Sequence, residues 1–314
     1  MRIPWYLRRL SEIAQDEGVV EAGLTLFREV MGTARYRLYR ALNDNREYRR
    51  VVQGSKMYLP ITDMGISQDL SVRGIREREE TRLIQHILHS GMTVIDIGAN
   101  IGYYALIEAH AVGPGGRVYA IEPEPRNYSL LARNVALNRY DYVSTFQIGI
   151  SDETGFAKLH VSQYSNLHNL VSPIKQDRNL PTIDVQLRRL DAFIQEEGIK
   201  PAFVDLVRMD IEGWEAKALL GMQDLLRASP HLKLFIEFHP WAIARIPGHS
   251  IEQTLGVLEK HGFLMRYVTG RARNNIRFQL RNLSITDFLG QRNLWEDKLF
   301  RALLSKDTVR LPTD

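Results

Sequence analysis

No cysteine occurs in the 314 residues, and that absence removes disulfides, thiolate metal sites, iron–sulfur clusters and a cysteine nucleophile together. Long apolar runs are missing as well. No stretch reaches the roughly 18 apolar residues of a membrane-crossing helix, and the opening MRIPWYLRRLSEIAQDEG carries charges where a secretory leader needs its apolar core. The expectation is a cytoplasmic location. A strong charge of one sign is also lacking: Lys and Arg total 41 against 37 Asp and Glu, a net charge of +4. The surface is therefore read as mixed and solvated, and charge by itself selects no anionic partner. What is present is ordinary for a folded chain, 44% hydrophobic and 25% charged residues, in a length that forms one large core or one core with an appendage.

Residues 1 to about 52 read as helical, with Val20, Leu24, Phe27, Val30 and Met31 three or four apart between charges. Arginines and tyrosines interleave in ARYRLYRALNDNREYRR. That pattern suits a membrane-surface or nucleic-acid face, or a helical arm whose tyrosines pack on the main domain, and the packing reading is preferred. Residues 53–75 carry turn residues and short β-prone pieces and read as a lead-in segment or small hairpin; a helix follows at about 76–89, stopped by Ser90 and Gly91. Strand, turn and helix then repeat: TVIDI, RVYAI, VSTFQIGI, AFVDLVRM and LKLFIEF are strands one to five, with amphipathic helices between most of them. WEAKALLGMQDLLRAS reads as one of those helices, GFAKLHVSQ as an extra β piece, and FLMRYVT and IRFQLRNLS as closing strands. Apolar strands alternating with helices predict an α/β fold, a mostly parallel sheet covered on both faces. The division expected is a helical arm over 1–60, the main domain over 61–290, and a C-terminal helix and tail over 291–314.

In such a sheet ligands sit at the carboxyl ends of the strands, beside strand one. Asp96, Gly98, Ala99, Asn100 and Gly102 occupy that place. The loop has two glycines where a dinucleotide fingerprint has three, and its acid would repel a pyrophosphate. S-adenosylmethionine suits it better, because it has no phosphate and carries a sulfonium and an ammonium. Glu122, at the tip of strand two and followed by Pro123, is placed to take both ribose hydroxyls. Tyr103 and Tyr104 follow the loop and can stack on the ligand or fill the helix–sheet core, with one of each preferred, and Ser151 or Asp152 after strand three can meet the adenine amino group; turn chemistry is the alternative for that pair.

VIDIGANIGYYAL, GRVYAIEPEPRNYSLLARNVALN, GISDETG, VDLVRMDIEGWEAKALLGM and LFIEFHP resemble the successive motifs of FkbM-type methyltransferases, over about 65–240. The resemblance implies a seven-stranded Rossmann-like class I methyltransferase fold and methyl transfer from S-adenosylmethionine, mostly to hydroxyls of sugars, lipid-linked glycans or natural products. It also implies that Asp210 faces the cofactor's methionine part and the acceptor, and that Glu212 orients the following helix.

Methyl transfer needs alignment and a base for the acceptor's proton. Asp210, Glu212, Glu237 and His239 lie at the ends of strands four and five, opposite the cofactor. His239 is chemically the better base near neutral pH, and Glu237 is alternatively a strand-end acid paired with Arg208 or another base. Oxygen ligands of this kind suit magnesium or manganese, but no tight ligand spacing appears, so no metal site is assigned. Two rivals are an RNA methyltransferase using the basic arm, which lacks a recognisable RNA-binding module or an N-P-P-Y type tetrapeptide, and a non-catalytic cofactor-binding scaffold. The expected partner is a small-molecule or glycan acceptor, with nucleic acid disfavoured, peripheral membrane contact possible through the basic arm, and the oligomeric state open.

Overall fold

The computed structural model describes residues 18–42, 47–63, 65–162, 164–165, 167–171, 180–271, 277–296, 298–307, 309 and 311. The chain divides into two compact units, Met1–Arg78 and Glu79–Asp314.

In the N-terminal unit, helix α1 (Val19–Leu42) leads to strands β1 (Glu47–Val52) and β2 (Ser55–Pro60), which pair antiparallel, and then to α2 (Ile66–Arg73). The expected arm is thus a helix followed by a hairpin. Gln53 and Gly54 both take positive φ, 46° and 88°, which gives a two-residue turn the twist that matches its strands. Arg50 donates to the carbonyls of Leu70 and Ser71 at 2.8 and 2.7 Å, satisfying the open end of α2. A Cβ on Gly32 would stand 2.2 Å from the Val72 carbonyl oxygen, so this glycine lets α1 lie against the end of α2. This unit ends at Arg78, beyond the boundary expected near residue 60. Three of its tyrosines pack inside this unit: the Tyr36 hydroxyl donates to Ile61 O at 3.1 Å, that of Tyr39 to Glu47 O at 3.0 Å, and Tyr39 meets Tyr48 edge-on.

The C-terminal unit takes in helix α3 (Arg78–Ile87) apart from its first residue, then β3 (Thr93–Ile97), α4 (Tyr103–Val112), β4 (Arg117–Ile121), α5 (Pro125–Asn138) and β5 (Val143–Phe146). A small excursion follows, β6 (Gly149–Ser151), β7 (Gly155–His160) and β8 (Thr182–Arg189), before α6 (Leu190–Glu196) and β9 (Leu206–Met209). The rest is α7 (Glu215–Leu220), α8 (Gln223–Ala228), β10 (Lys233–Phe238), α9 (Pro240–Ile243), α10 (Ile251–Lys260), β11 (Leu264–Arg271), β12 (Arg277–Leu283), α11 (Ile285–Leu289), α12 (Arg292–Trp295) and β13 (Phe300–Ser305). The main sheet runs β12-β11-β13-β10-β9-β3-β4-β5, with the five strands from β10 to β5 parallel and the other three antiparallel to their neighbours. It therefore has eight strands, the implied seven plus β12 at the edge.

Strand order reverses at β3, because the chain builds β4 and β5 on one side and returns to β9 and β10 on the other. The carboxyl ends of β3, β4, β9 and β10 consequently frame one crevice. Apolar side chains of these strands fill the core beneath it, among them Ile95, Ile97, Val207, Met209, Ile236 and Phe238.

Three expectations change. Residues 291–314 hold more than the expected helix and tail: after the short α12 comes β13, which lies between β10 and β11, with Phe300, Ala302, Leu303 and Leu304 fully buried. A short all-apolar run has no period to separate strand from helix, and only its sheet neighbours decide. VSTFQIGI breaks into β5 and β6, which pairs with β8 in a separate three-stranded sheet. WEAKALLGMQDLLRAS is two helices, parted at Gly221, where a Cβ would stand 1.9 Å from the Ser151 carbonyl oxygen. Among the described residues no helix is long and apolar enough to cross a membrane.

Candidate active site

The loop after β3 turns through three positive φ angles, at Gly98 (83°), Asn100 (53°) and Gly102 (95°). Gly98 N–H and Ala99 N–H both donate to Ile121 O at 2.9 Å, tying the loop to the end of β4. A Cβ on Gly98 would stand 2.0 Å from Asp210 O. This glycine thus lets the residue after β9 come against the loop, and any side chain would force the two apart. Asn100 spends its side chain on the structure, donating to Ser165 O at 2.6 Å and accepting from Ile101 N–H at 2.8 Å.

Glu122 follows β4. Its two carboxylate oxygens accept from the backbone N–H groups of Asn100 and Glu124, each at 2.9 Å, which aims the group at the loop. Burial pushes its pKa up to about 8 against those two donors. Pro123 is half-buried beside it, and Glu124 caps α5 by accepting from Asn127 N–H at 2.7 Å.

Asp96 is not open to a ligand's ammonium. It is fully buried, and Arg208 Nη1 stands 2.9 Å from its Oδ1. The same guanidinium reaches Asp210 Oδ2 at 3.0 Å and lies over the Tyr104 ring, 4.0 Å from its centroid. Burial works against the charge on Arg208, but Asp96 and then Asp210 outweigh it and raise its pKa. Glu108 on α4 is also fully buried, and both of its carboxylate oxygens lack a hydrogen-bond partner. Burial first and the Asp96 charge second raise its pKa well above the ordinary carboxylate value, which favours the protonated form. Tyr103 is 3% exposed, with its hydroxyl 2.8 Å from Thr81 Oγ1, so its ring belongs to the core beneath the loop.

At the end of β6, Ser151 Oγ donates to Asp152 at 2.9 Å and accepts from the Trp214 indole at 3.2 Å. Asp152 meets Lys217 Nζ at 3.0 and 3.1 Å. Burial raises its pKa, but the hydrogen bonds from Lys217 and Ser151 win and lower it. Asp152 is thus the ionised member of this pair, and the Ser151 hydroxyl is already engaged on both sides.

Four predicted groups gather at the ends of β9 and β10. His239 lies among three carboxylates: Nδ1 is 3.2 Å from Glu215, and Nε2 is 3.3 Å from Glu212 and 3.9 Å from Glu237. Burial lowers its pKa, but the hydrogen bond and charge of Glu215, with Glu212 and Glu237, raise it to about 10. His239 is therefore an imidazolium near neutral pH and not a resting base. Glu237 is the strand-end acid of the alternative reading, paired with Arg301, which donates through Nε and Nη2 at 2.9 and 3.0 Å. Glu212 takes a positive φ of 53°, keeps 21% of its side chain exposed, and is pushed up to about 8 by burial against the attraction of His239. Asp210 is 25% exposed.

Sequence reasoning missed the roles of Arg208, Glu215 and Arg301. A lone arginine inside the apolar run VDLVRM was a usable signal, because a buried guanidinium demands buried acids. Glu215, fully buried and accepting from Gly213 N–H at 2.9 Å, sat inside the quoted MDIEGWE. Arg301 had no local signal.

A family model described as the methyltransferase FkbM domain matches residues 96–268. Among curated proteins, methyltransferase sdnD of Sordaria araneosa is 27% identical over 167 residues, 44% of this chain and 62% of that protein. The 31-O-demethyl-FK506 methyltransferase FkbM of Streptomyces tacrolimicus is 29% identical over 164 residues, again 44% and 62%. The chain thus spans less than two thirds of these relatives. A solved FkbM methyltransferase of Methylobacillus flagellatus KT overlaps 75% of this chain and 52% of its own, at 16% identity and a TM-score of 0.38. M. jannaschii TYW2 in complex with AdoMet overlaps 84% and 89%, at 16% and 0.41.

Proposed function

The chain belongs to the FkbM methyltransferase family, and from that premise we propose that it moves a methyl group from S-adenosylmethionine to a hydroxyl of a sugar, glycan, lipid-linked or natural-product acceptor. The residues present fit that cofactor. Glu122 offers a carboxylate, fixed by two backbone donors, to a vicinal diol, and Asp210 brings a partly exposed acid against the glycine loop. S-adenosylmethionine supplies a methyl group on a sulfonium, open to in-line displacement. Glu122 would hold the ribose, and the carboxylate of Asp210, oriented by Arg208, would face the positive charge.

The observation that carries the hydroxyl assignment is Glu212. Among the described residues of the four-group cluster it keeps side-chain exposure and has no guanidinium on it, whereas Asp210 and Glu237 are held by Arg208 and Arg301. Its pKa near 8 makes it a stronger base than an ordinary carboxylate. Glu212 accepts the acceptor's proton, and the His239 imidazolium keeps that carboxylate oriented. A relative whose name records an O-demethyl acceptor supports the same reading.

The test is labelled methyl incorporation from S-adenosylmethionine into polyhydroxylated glycan, lipid and natural-product fractions, with RNA as a further arm. Label in a hydroxylated fraction, stable to base as an ether is, supports the proposal. Label in RNA alone, or tight cofactor binding with transfer to nothing, overturns it.

A further inference from the structure

Helix α1 is apolar on two sides, and among the described residues only one of them is covered. Its inner side buries Ala22, Thr25, Gly32 and Tyr36 within the N-terminal unit. On the outer side Val20, Leu24, Phe27, Met31, Ala34 and Leu38 recur at alternating spacings of four and three, a straight seam on a helix about 36 Å long. All six are exposed, Val20 at 78%, Phe27 at 62% and Leu38 at 59%. A contiguous apolar face of this length marks a docking surface.

The charges beside the seam choose the occupant. The charged side chains described as exposed on α1 are Arg28, Arg35 and Arg37; Arg28 and Arg35 border one side of the seam and Arg37 the other. Pairing with a second copy would bring these like charges together at the flanking positions. Nucleic acid would use the arginines but not the aliphatic seam, and the tyrosines that could stack on bases are turned inward onto Ile61 and Glu47. An anionic bilayer meets both requirements at once: the seam enters the boundary between headgroups and acyl chains, and the arginine stems reach up to the phosphates.

We propose that the outer face of α1 docks the protein on anionic phospholipid membranes. The surface lies in the unit that does not hold the candidate active site, and its test is independent of methyl transfer. The full chain is floated with vesicles of phosphatidylcholine alone or mixed with phosphatidylglycerol. Partition into the anionic vesicles at least about 10-fold above the neutral ones, falling with added salt, is expected. The double variant Phe27→Glu, Leu38→Glu brings it to background, and Arg28→Gln, Arg35→Gln, Arg37→Gln together remove the preference for anionic lipid. Circular dichroism and S-adenosylhomocysteine affinity stay unchanged in both. Equal partition into the two vesicle types, or none, overturns the proposal. So does a dimer in light scattering that Phe27→Glu dissociates while no vesicle binding occurs, or retention of RNA in a gel shift without vesicle binding.

Discussion

The two ends of the crevice are built by different means. At the end beside β4 the determining contacts are backbone donors: Glu122 is held by N–H groups 22 and 2 residues away, and the loop is hung on Ile121 O. At the end beside β10 side chains hold side chains across long separations, with Glu237 and Arg301 64 residues apart and His239 joined to Glu215 and Glu212. Backbone geometry survives side-chain change, so the first end can stay constant while the acceptor varies. An ionic cluster changes with each substitution, and acceptor choice belongs at the second end. Arg208 joins the two, through Asp96 under the loop and Asp210 beyond β9.

The largest break is therefore at Arg208. Arg208→Met leaves Asp96 buried without its cation, and a loss of about 3–5 kcal/mol in unfolding free energy is expected by chemical denaturation. A smaller loss, within 1 kcal/mol of wild type, would mean that the two ends are not mechanically joined. Next is Glu212→Gln, for which turnover falls on the order of 100-fold while S-adenosylhomocysteine affinity measured by calorimetry is unchanged. Its pH profile sharpens the point. The base is the ionised form, so wild-type kcat/KM rises as pH climbs through about 8, while His239, at about 10, stays charged across that window. A flat wild-type profile over pH 6–9 would remove Glu212 as the base, because its raised pKa is what motivates the role.

Glu122→Gln tests the other end alone. Cofactor affinity drops about 10-fold, with acceptor KM unchanged. Because ribose hydroxyls donate to the ionised carboxylate, wild-type affinity tightens as pH rises through about 8, and the Gln variant loses that dependence. The smallest effect is at Glu108. Its folded-state pKa lies above the ordinary 4.5, so the proton it holds when folded stabilises the protein at low pH, and that contribution is lost as pH rises above about 4.5. Glu108→Gln should leave the melting temperature at pH 5 nearly unchanged and flatten its decline toward pH 9; an unaltered slope would show that the buried carboxyl does not titrate.

How much of this was legible follows from the same contrast. Gly98, Gly102 and Glu122 could be read because each is fixed by its place at the end of an element whose period is visible in a short window. For Tyr103 and Ser151 the sequence left ligand contact and a structural role both open, because a side chain beside a site can as well be spent on the core; in the fold the Tyr103 hydroxyl goes to Thr81 and that of Ser151 to Trp214 and Asp152. His239 looked like a base by its ordinary pKa, and the three acids that reverse that role lie at positions whose convergence no local pattern announces.

The order of strands and helices, the glycine loop with its close-approach requirement, and the acid after β4 were determined by the sequence itself, because short-range periodicity and backbone sterics act within a few residues. The placement of FRALLS between β10 and β11, the Arg208 link between Asp96 and Asp210, and the charge state of His239 were decided by the tertiary structure alone. Each depends on burial and on a partner distant in the chain, and desolvation sets the strength of a charge only after the fold has closed over it.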